Sequence, residues 1–225
     1  MIITLDGPAA SGKSTVAQML ARDLDIMYLN TGLLYRAFAH CLVNERLYTQ
    51  EMLAHPSDED IDFVKKSGLI RYDYDREKGA LLWYREENIA HLLKAAHVDH
   101  WASVVSAHPG VRQALLSMQR DLGEQRDLVV EGRDCGTVVF PYADFKFFMT
   151  ASLEARAMRW CNDQKARNST VSYDEACVIL QQRDARDSTR AVAPLTVPTD
   201  SSMIDTTAMD LAEVVARIKT IISKK

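Results

Sequence analysis

Nine residues near the start of the chain, Gly7-Pro8-Ala9-Ala10-Ser11-Gly12-Lys13-Ser14-Thr15, limit what it can fold into more than any other stretch. Two glycines separated by four residues and followed by Lys-Ser form a loop whose amides can wrap a polyphosphate. The flanks agree with that reading. Ile2, Ile3 and Leu5 make a short apolar run of buried-strand type, and Val16, Met19, Leu20 and Leu24 recur afterwards at helical spacing. A strand, a glycine-bearing loop and a helix N-terminus together place partial positive charge where phosphates would sit. Glycines 7 and 12 allow backbone angles and close approach that side chains would block. Lys13 would reach the outer phosphates, and Ser14 could offer its hydroxyl to Mg²⁺. A nucleoside-triphosphate site is therefore expected.

The 225 residues bury a core sufficient for one domain, with or without insertions. A net charge of -4 gives no sign of a nucleic-acid or membrane surface, and no run approaches the ~20 apolar residues of a membrane span. Cysteines 41, 135, 161 and 177 are scattered without a metal-binding pattern, as in reduced, cytoplasmic proteins.

Downstream, Ile26-Met27-Tyr28-Leu29 reads as a second buried strand ending at Asn30-Thr31-Gly32, with a helix over Leu33 to Val43. Alternating strands and helices predict a parallel sheet with right-handed crossovers, so Thr31, Tyr35 and Arg36 should face the phosphate loop's crevice. Residues 57–100 break the rhythm: Ile70–Tyr74 and Ala80–Tyr84 flank Asp75-Arg76-Glu77-Lys78-Gly79 and predict a hairpin. Helices follow over 95–107 and 109–122. The run Leu128-Val129-Val130 predicts a strand delivering Glu131, placed to hold the metal directly or through water, then Gly132, Arg133 and Asp134. A strand over Asp144–Met149, a helix from Leu153 and another from Ser172 toward Arg183 come next. Met203–Asp205 and Leu211–Ile222 read as a last strand and a closing helix.

Arginines 36, 112, 133, 183, 186 and 190 gather at the ends of these elements. Each alone could be a surface residue, and Asp184 and Asp187 could be their surface partners. Transfer of a phosphoryl group, however, needs cations around it, and the guanidinium fork suits that task.

Four motifs taken together resemble the bacterial cytidylate kinases nearly end to end. They are the loop at 7–15, Asn-Thr-Gly-Leu-Leu-Tyr-Arg at 30–36, Glu-Gly-Arg-Asp-Cys-Gly-Thr-Val-Val-Phe-Pro at 131–141, and Arg-Asp-Ala-Arg-Asp-Ser-Thr-Arg-Ala-Val-Ala-Pro-Leu at 183–195. The resemblance implies an α/β fold of the P-loop nucleoside monophosphate kinase type. It would comprise a parallel core (about 1–30, 108–151 and 196–225), a monophosphate-binding insertion with a small antiparallel sheet (about 31–107) and a mobile lid (about 152–195). It implies transfer from ATP to CMP or dCMP with Mg²⁺, small-molecule partners only and a monomer. Carried over by position, Lys13, Arg133 and Arg183 would be catalytic, and residues 7–15 with Arg156 would bind ATP. Thr31, Tyr35, Arg36, Ser103, Arg112, Arg133, Asp134, Arg183, Asp187 and Arg190 would bind the acceptor, with Ser14 and Glu131 at the metal. Asn30, Lys94, Cys135 and Trp160 depart from the family's usual residues. The phosphate loop by itself is equally compatible with UMP, AMP or shikimate as acceptor, or with a nucleotide-gated switch.

Overall fold

The computed structural model describes residues 1–166 and 170–224. Strand β1 (Ile2–Asp6) leads through the phosphate loop into α1 (Lys13–Leu24) and β2 (Met27–Asn30). Helix α2 (Thr31–Arg46) begins at Asn30, whose Oδ1 accepts from Leu33 N at 3.1 Å and so satisfies an orphan helix donor. Thr31 and Gly32 at its start, and Asn44 to Arg46 at its end, lengthen this helix beyond the apolar pattern.

The chain then makes a long excursion. Helix α3 (Asp58–Lys66) is absent from the sequence reading although its signals are orthodox, with Ser57 capping, three acids in the first turn and two lysines in the last. The predicted hairpin forms as β3 (Ile70–Asp75) and β4 (Gly79–Tyr84), and a two-residue β5 (Glu87–Asn88) completes an antiparallel sheet. Asp75 Oδ1 closes the turn by accepting from the amides of Glu77 and Lys78. Helices α4 (Ala96–Val105) and α5 (Pro109–Gln125) return to the core.

Strand β6 (Leu128–Gly132) runs into a π-helical turn over Cys135–Val139, followed by β7 (Phe145–Thr150). Helices α6 (Leu153–Ala166) and α7 (Tyr173–Thr189), strand β8 (Ser202–Asp205) and helix α8 (Leu211–Ile222) finish the chain. Helix α7 runs past the expected end near Arg183. Residues 183 and 187 therefore sit four apart on one helix face, and Arg190 follows at the helix's C-terminal cap with extended backbone.

The core sheet is wholly parallel, ordered β2-β6-β1-β7-β8. Alternation within β6 sends Leu128 and Val130 to one apolar layer and Val129 to the other. The first layer holds Leu34 and Phe38 of α2 with Val111 and Leu115 of α5, and the second holds Val16 and Leu20 of α1 with Val214 and Ile218 of α8. Register aligns Leu5 and Asn30 with Glu131, and Asp6 with both Gly132 and Phe148. The polar residues that end these strands thus share one edge of the sheet, where chains of this topology bind ligands. Among the described residues, no helix is long and apolar enough to cross a membrane.

Candidate active site

A cleft of about 1100 Å³ opens over that edge and is lined by the phosphate loop, α2, α4, the end of β6 and α7. Three positive backbone angles shape the loop, at Gly7 (φ 147°), Ala10 (φ 58°) and Gly12 (φ 92°). Gly7 is there for space as well as angle: a Cβ on it would lie 1.9 Å from the Met149 carbonyl oxygen. Lys13 is buried, and its Nζ donates to the Pro8 carbonyl at 2.5 Å and to Ser11 Oγ at 3.1 Å. Burial, helped by the charge of Arg133, pulls its ammonium down to about 7. Ser14 Oγ donates to Glu131 Oε1 at 2.7 Å, and the Tyr28 hydroxyl donates to the same oxygen at 3.3 Å.

Asn30 Nδ2 donates to the Tyr28 hydroxyl at 3.1 Å. A neutral amide at this position links to Glu131 through Tyr28, where an aspartate would bring a second negative charge. Thr31 Oγ1 donates to the Glu131 carbonyl at 2.9 Å, which fixes the start of α2 to the end of β6.

At the other end of the cleft, guanidinium groups and carboxylates interleave. Arg36 Nη2 donates to Asp99 Oδ1 at 2.6 Å, and Arg183 Nη1 to Asp99 Oδ2 at 2.5 Å. Arg133 Nε donates to Asp187 Oδ2 at 2.7 Å. Burial would raise the Asp187 carboxyl, but Arg133 and Arg183 hold it below its ordinary value. Asp187 is buried and turned inward, so it is not a surface partner. Asp134 is buried between Arg112, which donates to Oδ2, and Arg190, which donates to Oδ1 at 3.3 Å. The Arg112 guanidinium also lies 5.4 Å from the centre of the Tyr35 ring. Arg36 Nε, Ser103 Oγ and Arg112 Nε are buried without a protein partner. Such groups call for ligand atoms, because an unpaired buried donor is costly.

Most residues singled out from the sequence line this one cleft: Ala9 to Thr15, Thr31, Tyr35, Arg36, Ser103, Arg112, Glu131, Arg133, Asp134, Arg183, Asp187 and Arg190. Gly7 and Pro8 do not line it, although the Pro8 carbonyl accepts from Lys13 Nζ. Arg156 stands behind the loop, donating to the Ala9 carbonyl at 3.3 Å and to Asp184 Oδ2 at 2.5 Å. Asp184 in turn accepts from Ala9 N at 3.3 Å, so α6 and α7 grip the loop from outside.

Asp99 and Asp6 are among the carboxylates that escaped the sequence reading. Asp99 lies four residues before Ser103, a spacing that puts both on one face of α4. Asp6 directly precedes the loop and accepts from Cys135 N at 2.8 Å and Gly136 N at 2.7 Å, anchoring the turn that presents Asp134. Burial pushes the Asp6 carboxyl up to about 6, against the pull of those two amides. Arg159, Trp160, whose departure from the family pattern the sequence showed, and the 209–212 segment also line the cleft.

Comparison with known proteins places these observations. The family described as cytidylate kinase matches residues 3–224. A cytidylate kinase of Caldanaerobacter subterraneus subsp. tengcongensis is 38% identical over 222 residues, covering 99% of this chain and 94% of the relative. One of Bdellovibrio bacteriovorus is 37% identical over 228 residues, covering 100% and 99%. A solved structure of an uncharacterised protein from Eubacterium ventriosum superimposes with a TM-score of 0.54 at 13% identity, covering 100% of this chain and 99% of that one.

Proposed function

This chain belongs to the cytidylate kinase family, and on that premise we propose how its cleft passes a phosphoryl group from ATP to CMP or dCMP. The reaction yields ADP with CDP or dCDP. One observation carries the reading of the site: Arg36, Arg133 and Arg183, brought from three distant parts of the chain, surround the space in front of Lys13.

In this reading the chain divides into a core (about 1–30, 108–151 and 196–225), an acceptor-binding insertion (about 31–107) and a lid (about 152–195). Loop amides over 7–15 and Lys13 hold the ATP phosphates. Arg156 acts from behind, bracing Ala9. Ser14 Oγ and Glu131 Oε1 are hard oxygen donors 2.7 Å apart, a fit for Mg²⁺ held directly or through water. That ion would offset charge on the phosphates as the group moves. Lys13 exchanges its loop partners for phosphate oxygens. Arg36 and Arg133 hold the acceptor phosphate, and Arg183 brings a mobile charge from the lid to the group in transit. The attacking oxygen is already ionised, so no general base is needed.

Asp134 accepts from the exocyclic amine of cytosine and faces repulsion from the carbonyl that uracil presents there. Ser103 and Arg112 offer their unpartnered donors to the same base, Tyr35 and Thr31 wall it in, Arg190 steadies Asp134, and Asp187 reaches the pentose. The reading is of a monomer acting on small molecules in the cytoplasm, with Lys13, Arg36, Arg133 and Arg183 supplied to the cleft by this chain. The test is ADP release with CMP, dCMP, UMP and AMP in turn. CMP and dCMP are expected to lead by about tenfold or more over UMP. Release indifferent to the acceptor would instead mark a nucleotide-gated switch.

A further inference from the structure

Asp99 is not used by this mechanism, yet it sits at its centre. It lies in the first turn of α4, on the insertion, and its two oxygens are shared between Arg36 at 2.6 Å and Arg183 at 2.5 Å. Burial alone would raise this carboxyl, but Arg183, Arg36 and Arg133 hold it well below the usual carboxylate range. It is therefore an anion at any working pH. One oxygen on each of two guanidinium groups is also how a phosphate monoester would bridge them. Meanwhile Arg36 keeps its buried Nε without a partner, so the carboxylate leaves part of this arginine's donor set unmet.

We infer that Asp99 is a stand-in for the acceptor's phosphate, a positioning residue that holds Arg36 and Arg183 together until a nucleoside monophosphate displaces it. The inference rests on the assignment of these arginines to the acceptor. Its logic is charge. A phosphate monoester carries about -1.5 to -2 at neutral pH against -1 for a carboxylate, so it outcompetes Asp99. A neutral nucleoside brings no anion and cannot. Asp99 thereby weakens every anion that must displace it and leaves a neutral nucleoside, which does not displace it, unaffected. Because Asp99 belongs to the insertion and Arg183 to the lid, displacement also releases one from the other, which ties lid rearrangement to arrival of the right substrate.

The test compares the intact chain with Asp99→Asn and Asp99→Ala by calorimetric titration with inorganic phosphate, CMP and cytidine. Both variants should bind phosphate and CMP roughly tenfold more tightly, the scale of one competing close charge pair. Cytidine affinity should not change, and the KM for CMP should fall by a larger factor than any change in kcat. Tighter binding cannot arise from a damaged fold. Asp99→Glu, which keeps the competing charge, should stay near wild type. Phosphate and CMP binding that is weaker or unchanged in both neutral variants would overturn the inference and leave Asp99 a simple support for the arginines. The phosphate titration needs no turnover. If the wild-type chain fails to phosphorylate CMP while Asp99→Asn still gains phosphate affinity, the kinase assignment falls and the stand-in survives.

Discussion

Where the phosphate loop meets the cleft, the polar groups on offer are mostly main-chain amides, set by the backbone of residues 7–12 and joined by one buried lysine. Across the cleft the polar surface is made of side chains, with Arg36, Arg112, Arg133, Arg183 and Arg190 interleaved with Asp99, Asp134 and Asp187. Main-chain donors cannot turn away, so the first end is built before its ligand arrives. Guanidinium groups held by carboxylates must exchange partners to take a ligand, so on the proposed assignment the second end reorganises as it binds. An enzyme that joins a common donor to one particular acceptor has reason to keep the first rigid and let the second choose.

Mutations can break this contrast. The largest effect belongs to Arg183→Ala, which removes the lid's charge from the transferring group. Steady-state turnover should fall ~10³-fold or more with ATP affinity retained, and a loss of only a few-fold would demote it to a pocket wall. Gly7→Ala attacks the rigid end. Its Cβ would meet the Met149 carbonyl at 1.9 Å with φ at 147°, and the strain should cost about 3 kcal/mol. For a chain of this size that lowers the melting temperature by roughly 6–12 °C, and a melt within a degree of wild type would argue against the close approach.

Smaller effects sharpen the comparison. Asp134→Asn should reduce the kcat/KM preference for CMP over UMP about tenfold, and an unchanged ratio would remove Asp134 from base selection. Lys13 gives a pH signature on the donor side alone. Its ammonium sits at about 7 in the free cleft and must rise when phosphates surround it, so ATP binding takes up a proton. Affinity for ATP should then weaken about fivefold from pH 7 to pH 8. Calorimetry in buffers of differing ionisation heat reads that uptake, and a flat profile would count against it.

The same contrast explains what the sequence made legible. A site built from consecutive amides leaves a contiguous signature, so residues 7–15 marked the loop of the proposed donor end and the sheet edge that carries it. The hairpin was equally plain, since apolar strands flank an Asp-to-Gly turn whose amides Asp75 caps. The acceptor end draws its residues from positions 31 to 190, and composition offered no way to pair them. The arginines stood out by gathering at the ends of elements, but the motifs at 131–141 and 183–195 gave them separate roles only through resemblance. Asp187 could not be separated from a surface acid until α7 proved to continue through Thr189 and turn it inward. Asp99 went unseen because its partners lie 63 and 84 residues away, beyond any local pattern. Helix α3 is a different case: its cap and charge gradient were readable at Ser57, but few apolar positions stood out within nine residues.

The division of labour across the cleft is most directly tested by calorimetric titration of Arg36→Ala with each nucleotide separately. CMP binding should weaken at least tenfold while ATP binding stays within about twofold of wild type, because Arg36 serves only the reorganising end. Equal loss for both nucleotides would mean that the two ends are one undivided site, with no rigid donor half set apart from an adaptable acceptor half.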